Sequence, residues 1–254
     1  MNRGLFAVST GAGPDLVLLH GLFGQGGNLR GIARALERSF RVHTLDLPDH
    51  GRSAWLESAS LSAYAAAVAD WLDAQQLSSV MLLGHSLGGK VAMVVALSEP
   101  KRVSKLVVAD MAPVSYPRRH DGVLDALAEV TKLNPASKTE AQGILAGYVE
   151  DPAVAAYLAM SWQPGEGAGW KFNLAGLAKG YQALGEAPGG WGTYEGEALF
   201  IRGAHSDYVR REHEALIFER FPRAQLETLE GAGHWLHRDQ PDAFLAKVGA
   251  FLGG

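Results

Sequence analysis

An open, doubly wound and mostly parallel α/β sheet carrying a helical insertion is the fold this sequence predicts. Three observations predict it. Short apolar runs that end in Gly- and Asp-rich turns alternate with segments of helical periodicity, the rhythm of strand–helix–strand units. The runs are apolar throughout, as strands covered on both faces are. The rhythm stops over 111–196, where the pattern is helical and irregular, and then resumes for two more strands. In such sheets ligands sit outside the carboxyl ends of the strands, so the residues at those ends carry the functional question.

Residues 5–8 read as a short edge strand, followed by a turn at Gly11-Ala12-Gly13-Pro14-Asp15. The run 16–19 ends at His20-Gly21-Leu22-Phe23-Gly24, and a helix is expected over 28–38. A strand over 40–45 ends in the polar loop Asp46-Leu47-Pro48-Asp49-His50-Gly51-Arg52-Ser53. Leu61, Tyr64, Ala65, Val68, Trp71 and Leu72 keep helical spacing, which makes 61–76 an amphipathic helix. Val80-Met81-Leu82-Leu83 then runs into Gly84-His85-Ser86-Leu87-Gly88, with a helical pattern over 90–97. That is strand, sharp turn and helix with a serine at the apex, the G-x-S-x-G elbow. A Gly-rich turn that only packs closely or binds a phosphate is the alternative on the pentapeptide alone.

A strand over 103–109 ends at Asp110, and after the insertion the strand 198–201 leads to Arg202-Gly203-Ala204-His205-Ser206-Asp207. A helix over 211–221, a strand over 225–229, the turn Gly231-Ala232-Gly233-His234-Trp235-Leu236-His237 and a helix over 241–252 complete the chain. The expected division is a core of 1–111 and 196–254 with a helical cap at 112–195. The cap's aromatics, Trp162, Trp170 and Tyr157 among them, would exclude water and shape a pocket, or else form a small core of their own.

Composition narrows the function. Hydrophobic residues make up 47% and charged residues 20% of 254, enough for a sizeable core and against disorder. A net charge of −4 without a basic run argues against nucleic acid or an anionic membrane as partner. Cysteine is absent, which excludes disulfides and a cysteine nucleophile and fits a reducing cytoplasm. The N-terminal stretch lacks an apolar leader core and no segment approaches membrane-span length, so a soluble cytoplasmic protein is expected.

A serine hydroxyl is a poor nucleophile until a base takes its proton and a carboxylate orients the base. Of nine histidines, His234 is the best placed, on a Gly-flanked loop after the last strand. His20 and His85 sit beside glycine turns, where structural hydrogen bonds are expected, although His85 also borders the pocket. Two acids keep the chain order serine, acid, histidine: Asp110 at one strand end and Asp207 after the next strand. The N–H of Leu87, opening the helix, and that of Leu22, after His20-Gly21, are the expected oxyanion donors. Phe23, Trp162 and Trp235 join His85 as expected pocket walls.

Taken together, His20-Gly21-Leu22-Phe23-Gly24, Asp46-x-x-x-His50-Gly51-Arg52-Ser53, Gly84-His85-Ser86-Leu87-Gly88-Gly89 and Gly233-His234 resemble the α/β-hydrolase superfamily over nearly the whole chain. A narrower likeness, to the small YbfF-type serine esterases, rests on three further stretches. They are Val107 to Val114, Trp170-Lys171-Phe172-Asn173-Leu174 and Ala232-Gly233-His234-Trp235-Leu236-His237. The resemblance implies the α/β-hydrolase fold and hydrolysis of short- to medium-chain carboxylic esters and thioesters, with the acid at Asp110. Superfamily members that use the later acid usually place it three residues after the glycine. That position is Ser206 here, and Asp207 is one residue late. The partners implied are a small-molecule ester, for a monomer or homodimer, with no cofactor or metal. Cofactor-free perhydrolysis, carbon–carbon hydrolysis and a non-enzymatic ligand receptor on the same scaffold are the competing readings.

Overall fold

The computed structural model describes residues 4–189 and 192–253. Positions 1–3 and 254 of the expected core and 190–191 of the expected insertion lie outside the described residues. The first half of the chain runs β1 (Ala7–Thr10), β2 (Asp15–Leu19), α1 (Arg30–Leu36), β3 (Arg41–Leu45), α2 (Leu61–Ala74), β4 (Val80–His85), α3 (Leu87–Ser98) and β5 (Val103–Ala109). Next come α4 (Asp121–Leu133), α5 (Lys138–Leu145), α6 (Pro152–Ala159), a hairpin of β6 (Trp162–Gln163) and β7 (Gly169–Trp170), and α7 (Leu174–Gly185). The chain closes with β8 (Glu197–Gly203), α8 (Glu214–Arg220), β9 (Ala224–Leu229), α9 (Leu236–Asp239) and α10 (Pro241–Gly253).

Seven strands form one sheet in the order β1-β3-β2-β4-β5-β8-β9, all neighbours parallel except β1 with β3. Side chains of a strand alternate between its two faces, and here both faces are covered. Val17, Leu19, Leu82, Val108 and Phe200 pack with α2 and α3, while Leu16, Leu18, Leu83, Val107 and Ile201 pack with α1 and α10. That is why the strands read as unbroken apolar runs. Each such fully buried side chain contributes about 1.5–3 kcal/mol.

The chain leaves β2 toward one edge of the sheet and, after β3, returns to build β4 and the other edge. The switch point therefore lies between β2 and β4, and the loops leaving these two strands face each other there. These are the loops carrying His20 to Gly24 and Ser86.

The edge strand lies at 7–10 rather than 5–8, because its place is set by pairing with β3, Ala7 opposite Leu45 and Thr10 opposite Val42. The helix expected over 28–38 divides into a tight 3-10 turn, Gly26–Leu29, and α1. The segment between β5 and β8 contains the β6–β7 hairpin as well as helices, and its apolar side chains join the α2–α3 face of the core. Among the described residues no helix is long and apolar enough to cross a membrane.

Candidate active site

β4 stops at His85 and α3 starts at Leu87, leaving Ser86 at the turn with φ 55° and ψ −119°. A non-glycine residue there is strained, and the surrounding structure must hold it. Two glycines make room for it. A Cβ at position 84 would lie 2.2 Å from the carbonyl oxygen of Gly88, and a Cβ at 88 would lie 2.2 Å from that of Leu19. The Ser86 N–H donates to Ala109 O (3.1 Å), and the Ser86 carbonyl accepts from the N–H of Lys90 (3.1 Å).

Three side chains from three loops meet at this turn. His234 Nε2 lies 3.0 Å from Ser86 Oγ, and His234 Nδ1 lies 2.7 Å from Asp110 Oδ2. A carboxylate can only accept, so Nδ1 carries the proton and Nε2 is free to accept from the serine hydroxyl. Asp110 is fully buried, with Oδ1 accepting from Gly203 N–H (3.1 Å) and Oδ2 also accepting from the Ser206 hydroxyl. Asp207 goes elsewhere: it pairs with Arg119 at 2.9 Å and its side chain is 71% exposed. Of the two sequence candidates, only Asp110 meets the imidazole. The one-residue offset decides this, because at the register position after Gly203 it is Ser206 that turns inward.

Leu87 opens α3, so its N–H has no partner within the helix. Leu22 sits in the facing loop, and both residues line the space beside Ser86. Two buried histidines hold that facing loop. His20 Nδ1–H donates to Gly21 O (2.8 Å) while Nε2 accepts from Leu47 N–H (2.9 Å). His50 Nδ1–H donates to Pro48 O (2.8 Å) while Nε2 accepts from Phe23 N–H (3.1 Å). Burial pushes His20 down to about 4 and His50 to about 3, so both stay neutral and keep these tautomers. Phe23, at φ 61°, is held by the second of them. Asp46 braces its own loop, its carboxylate accepting from Gly26 N–H (2.7 Å) and Arg52 N–H (2.9 Å).

His85 Nε2–H donates to the carbonyl of His234 (2.8 Å), which fixes the backbone that delivers the base. Burial holds His85 well below the usual imidazole value. A cavity of 680 Å³ opens over Ser86 and is walled by Leu22, Phe23, His85, Tyr157 and Trp235. A second pocket of only 60 Å³ lies against Ser86 and Leu87 under Tyr116, Leu184 and Tyr208. A third cavity, 910 Å³, is away from Ser86, beside β1 and α1.

The expected pocket role of Trp162 is corrected. It is 1% exposed and lines neither space at Ser86. Its indole N–H donates to Pro135 O (3.0 Å), and its ring packs 5.1 Å from Trp170 across the hairpin. A large aromatic with a satisfied N–H inside a helix–hairpin core is a packing residue.

Sequence reasoning missed Tyr208 and Arg119. Tyr208 stacks on His234, with centroids 4.0 Å apart and planes 18° from parallel, and the Arg119 guanidinium lies 4.9 Å from the centre of the Tyr208 ring. His120 adds hydrogen bonds to Tyr181 (2.5 Å) and Tyr208 (3.3 Å). These residues come from an irregular stretch and from a position just past Asp207, where no periodicity marks them. The cluster Arg118-Arg119-His120 at the start of the insertion was the one available signal.

Comparison with known proteins follows the same lines. The profile of the alpha/beta hydrolase family matches residues 16–247. Esterase YbfF of Escherichia coli (strain K12) is 34% identical over 93% of this chain and 92% of its own length. The sn-1-specific diacylglycerol lipase ABHD11 of Mus musculus is 35% identical over 94% of this chain and 81% of its own. The solved structure of a marine microorganism esterase superposes with a TM-score of 0.94 at 33% identity, covering 98% of this chain and all of the other. A family profile spanning nine-tenths of the sequence, on a fold shared at that level, means that the chain belongs to the alpha/beta hydrolase family.

Proposed function

We propose that this protein is a serine carboxylesterase that hydrolyses short- to medium-chain carboxylic esters, and thioesters by the same steps, through an acyl-enzyme. The observation that carries the reading is the unbroken line Ser86 Oγ, His234 Nε2, His234 Nδ1 and Asp110 Oδ2, with contacts of 3.0 and 2.7 Å. Ser86 attacks the ester carbonyl as His234 takes its proton, and the Leu22 and Leu87 N–H groups stabilise the tetrahedral oxyanion. His234 then protonates the departing alkoxide and activates the water that releases the acid. Asp110 stays ionised and holds the imidazolium.

The two spaces at Ser86 divide the substrate. The 60 Å³ pocket is narrow and lined by Leu22, Leu87, Met111 and Leu184, which suits a short acyl chain. The 680 Å³ cavity takes the leaving group. The segment 112–195 acts as the cap over both, and the names of the esterase relatives agree with this chemistry. A cysteine-free chain suits a reducing cytoplasm, with the enzyme acting as monomer or homodimer. The test is Ser86→Ala: turnover of p-nitrophenyl butyrate should fall by at least about 10⁴-fold in a variant with an unchanged melting curve. Retained turnover in that folded variant overturns the reading.

A further inference from the structure

Lys90 stands one helical turn beyond Ser86 on α3 and is 2% exposed. Its Nζ donates to three backbone carbonyls, those of Val114 (2.8 Å), Gly185 (2.7 Å) and Glu186. An ammonium has three donors and no acceptor, so these three oxygens satisfy the charged form completely. They belong to two distant stretches of chain. Val114 leads into the insertion, and Gly185 and Glu186 lead out of it. The two stretches also bond to each other, Tyr116 N–H to Gly185 O (2.9 Å) and Ala187 N–H to Ser115 Oγ (2.9 Å).

The same stretches wall the smaller pocket. Tyr116, Leu184 and Gly185 face Ser86 across it, and Lys90 itself forms part of its lining. The Lys90 ammonium lies 4.8 Å from the centre of the Tyr116 ring, whose hydroxyl donates to Tyr208 O (2.6 Å) and accepts from Ala112 N–H (2.9 Å). Helix α3 begins at the elbow, so a cation carried on it references the far wall of the pocket to the serine itself. We propose that Lys90 is a positioning residue: it fastens both ends of the insertion to the elbow helix and so fixes the width of the acyl pocket. This rests on the carboxylesterase reading. Burial of the ammonium is unfavourable and pulls its pKa down to about 7. A methionine could fill the same space without that cost, yet could not hold three carbonyls from two segments in one register.

The experiment compares p-nitrophenyl acetate with p-nitrophenyl octanoate in the wild type and in Lys90→Met, which keeps the stem and removes the donors. With the walls unfastened, the octanoate-to-acetate ratio of kcat/KM should rise at least about tenfold, the scale on which a hydrophobic pocket discriminates a single methylene. A fall of both esters by one common factor overturns the proposal, because a cation that only stabilised the fold would act that way. Should the variant not fold, amide exchange of the wild type decides. Tyr116 and Ala187 exchanging as slowly as the amides of α3 supports the fastening, and their exchange through a separate, easier opening overturns it. A wild type inactive on both esters sinks the esterase reading instead.

Discussion

Asp110 receives three donors at once: the imidazole N–H of His234, the Ser206 hydroxyl and the backbone N–H of Gly203. A fully buried carboxylate needs such partners to remain ionised. Its own backbone is also constrained, at φ 50°, with its N–H donating to Ile201 O (2.8 Å). Asn at this position would keep the shape but give the imidazole the wrong tautomer. Asp110→Asn should therefore lower kcat on p-nitrophenyl butyrate by about 10⁴-fold. Asp207→Asn removes only an exposed partner of Arg119 and should stay within about threefold, as exposed ion pairs contribute little. Steady-state kinetics of the two variants checks both, and the reverse ranking would move the acid to Asp207. Both aspartates keep the chain order serine, acid, histidine, and in the sequence only the one-residue offset after Gly203 and the family likeness spoke for Asp110. The difference between them is the direction of a side chain after a turn.

At the scale of elements, the site exists because β2 and β4 are neighbours although β3 lies between them in the chain. Their two loops are locked by glycine on one side and by neutral histidine on the other. Gly84→Ala would press a Cβ into the Gly88 carbonyl at 2.2 Å. It should destabilise the fold on the order of 4 kcal/mol or prevent folding, seen as a lowered urea midpoint or loss of soluble protein. An alanine accommodated within ~1 kcal/mol would show that the turn is not as tight as described. Trp162→Phe should lower stability by about 1–3 kcal/mol through the lost indole hydrogen bond and volume, while leaving the ester preference unchanged. Paired melting and kinetic measurements check it, and a changed preference would return Trp162 to the pocket. Sequence made the buried strands and the elbow legible because continuous apolar runs and paired glycines have local causes. The hairpin β6–β7 has two residues per strand, too few for alternation to register, and the face that Trp162 presents depends on packing. Tyr208 over His234 was illegible for the same reason: its place follows from how the loops after β8 and β9 come together.

For the molecule as a whole, acid sensitivity follows from its buried and half-buried imidazoles. His20 is lowered to about 4, His50 to about 3, and His120 and His237 to about 4, in each case first by burial. In the unfolded chain each would titrate near its ordinary value of 6.5. Between these values the unfolded state holds more protons, so stability falls as pH drops from 6.5 toward 4, by about 1.4 kcal/mol per unit for each such ring. Urea unfolding at pH 7, 6 and 5 should show this decline, and a constant free energy over that range would contradict it. The family and the doubly wound, mostly parallel sheet were within reach of the sequence, since the motifs stand at the ends of continuous apolar runs that alternate with helical segments. How the insertion sits over the serine was not, because it is set by contacts between distant segments such as Lys90 with Val114 and Gly185. The chemistry turns on one hydroxyl, that of Ser86. Titration with a fluorophosphonate, followed by peptide mass mapping, tests it most directly. One label per chain is expected, on the peptide containing Ser86, with ester hydrolysis lost in proportion. Hydrolysis persisting after stoichiometric labelling, or a label on another residue, would contradict it.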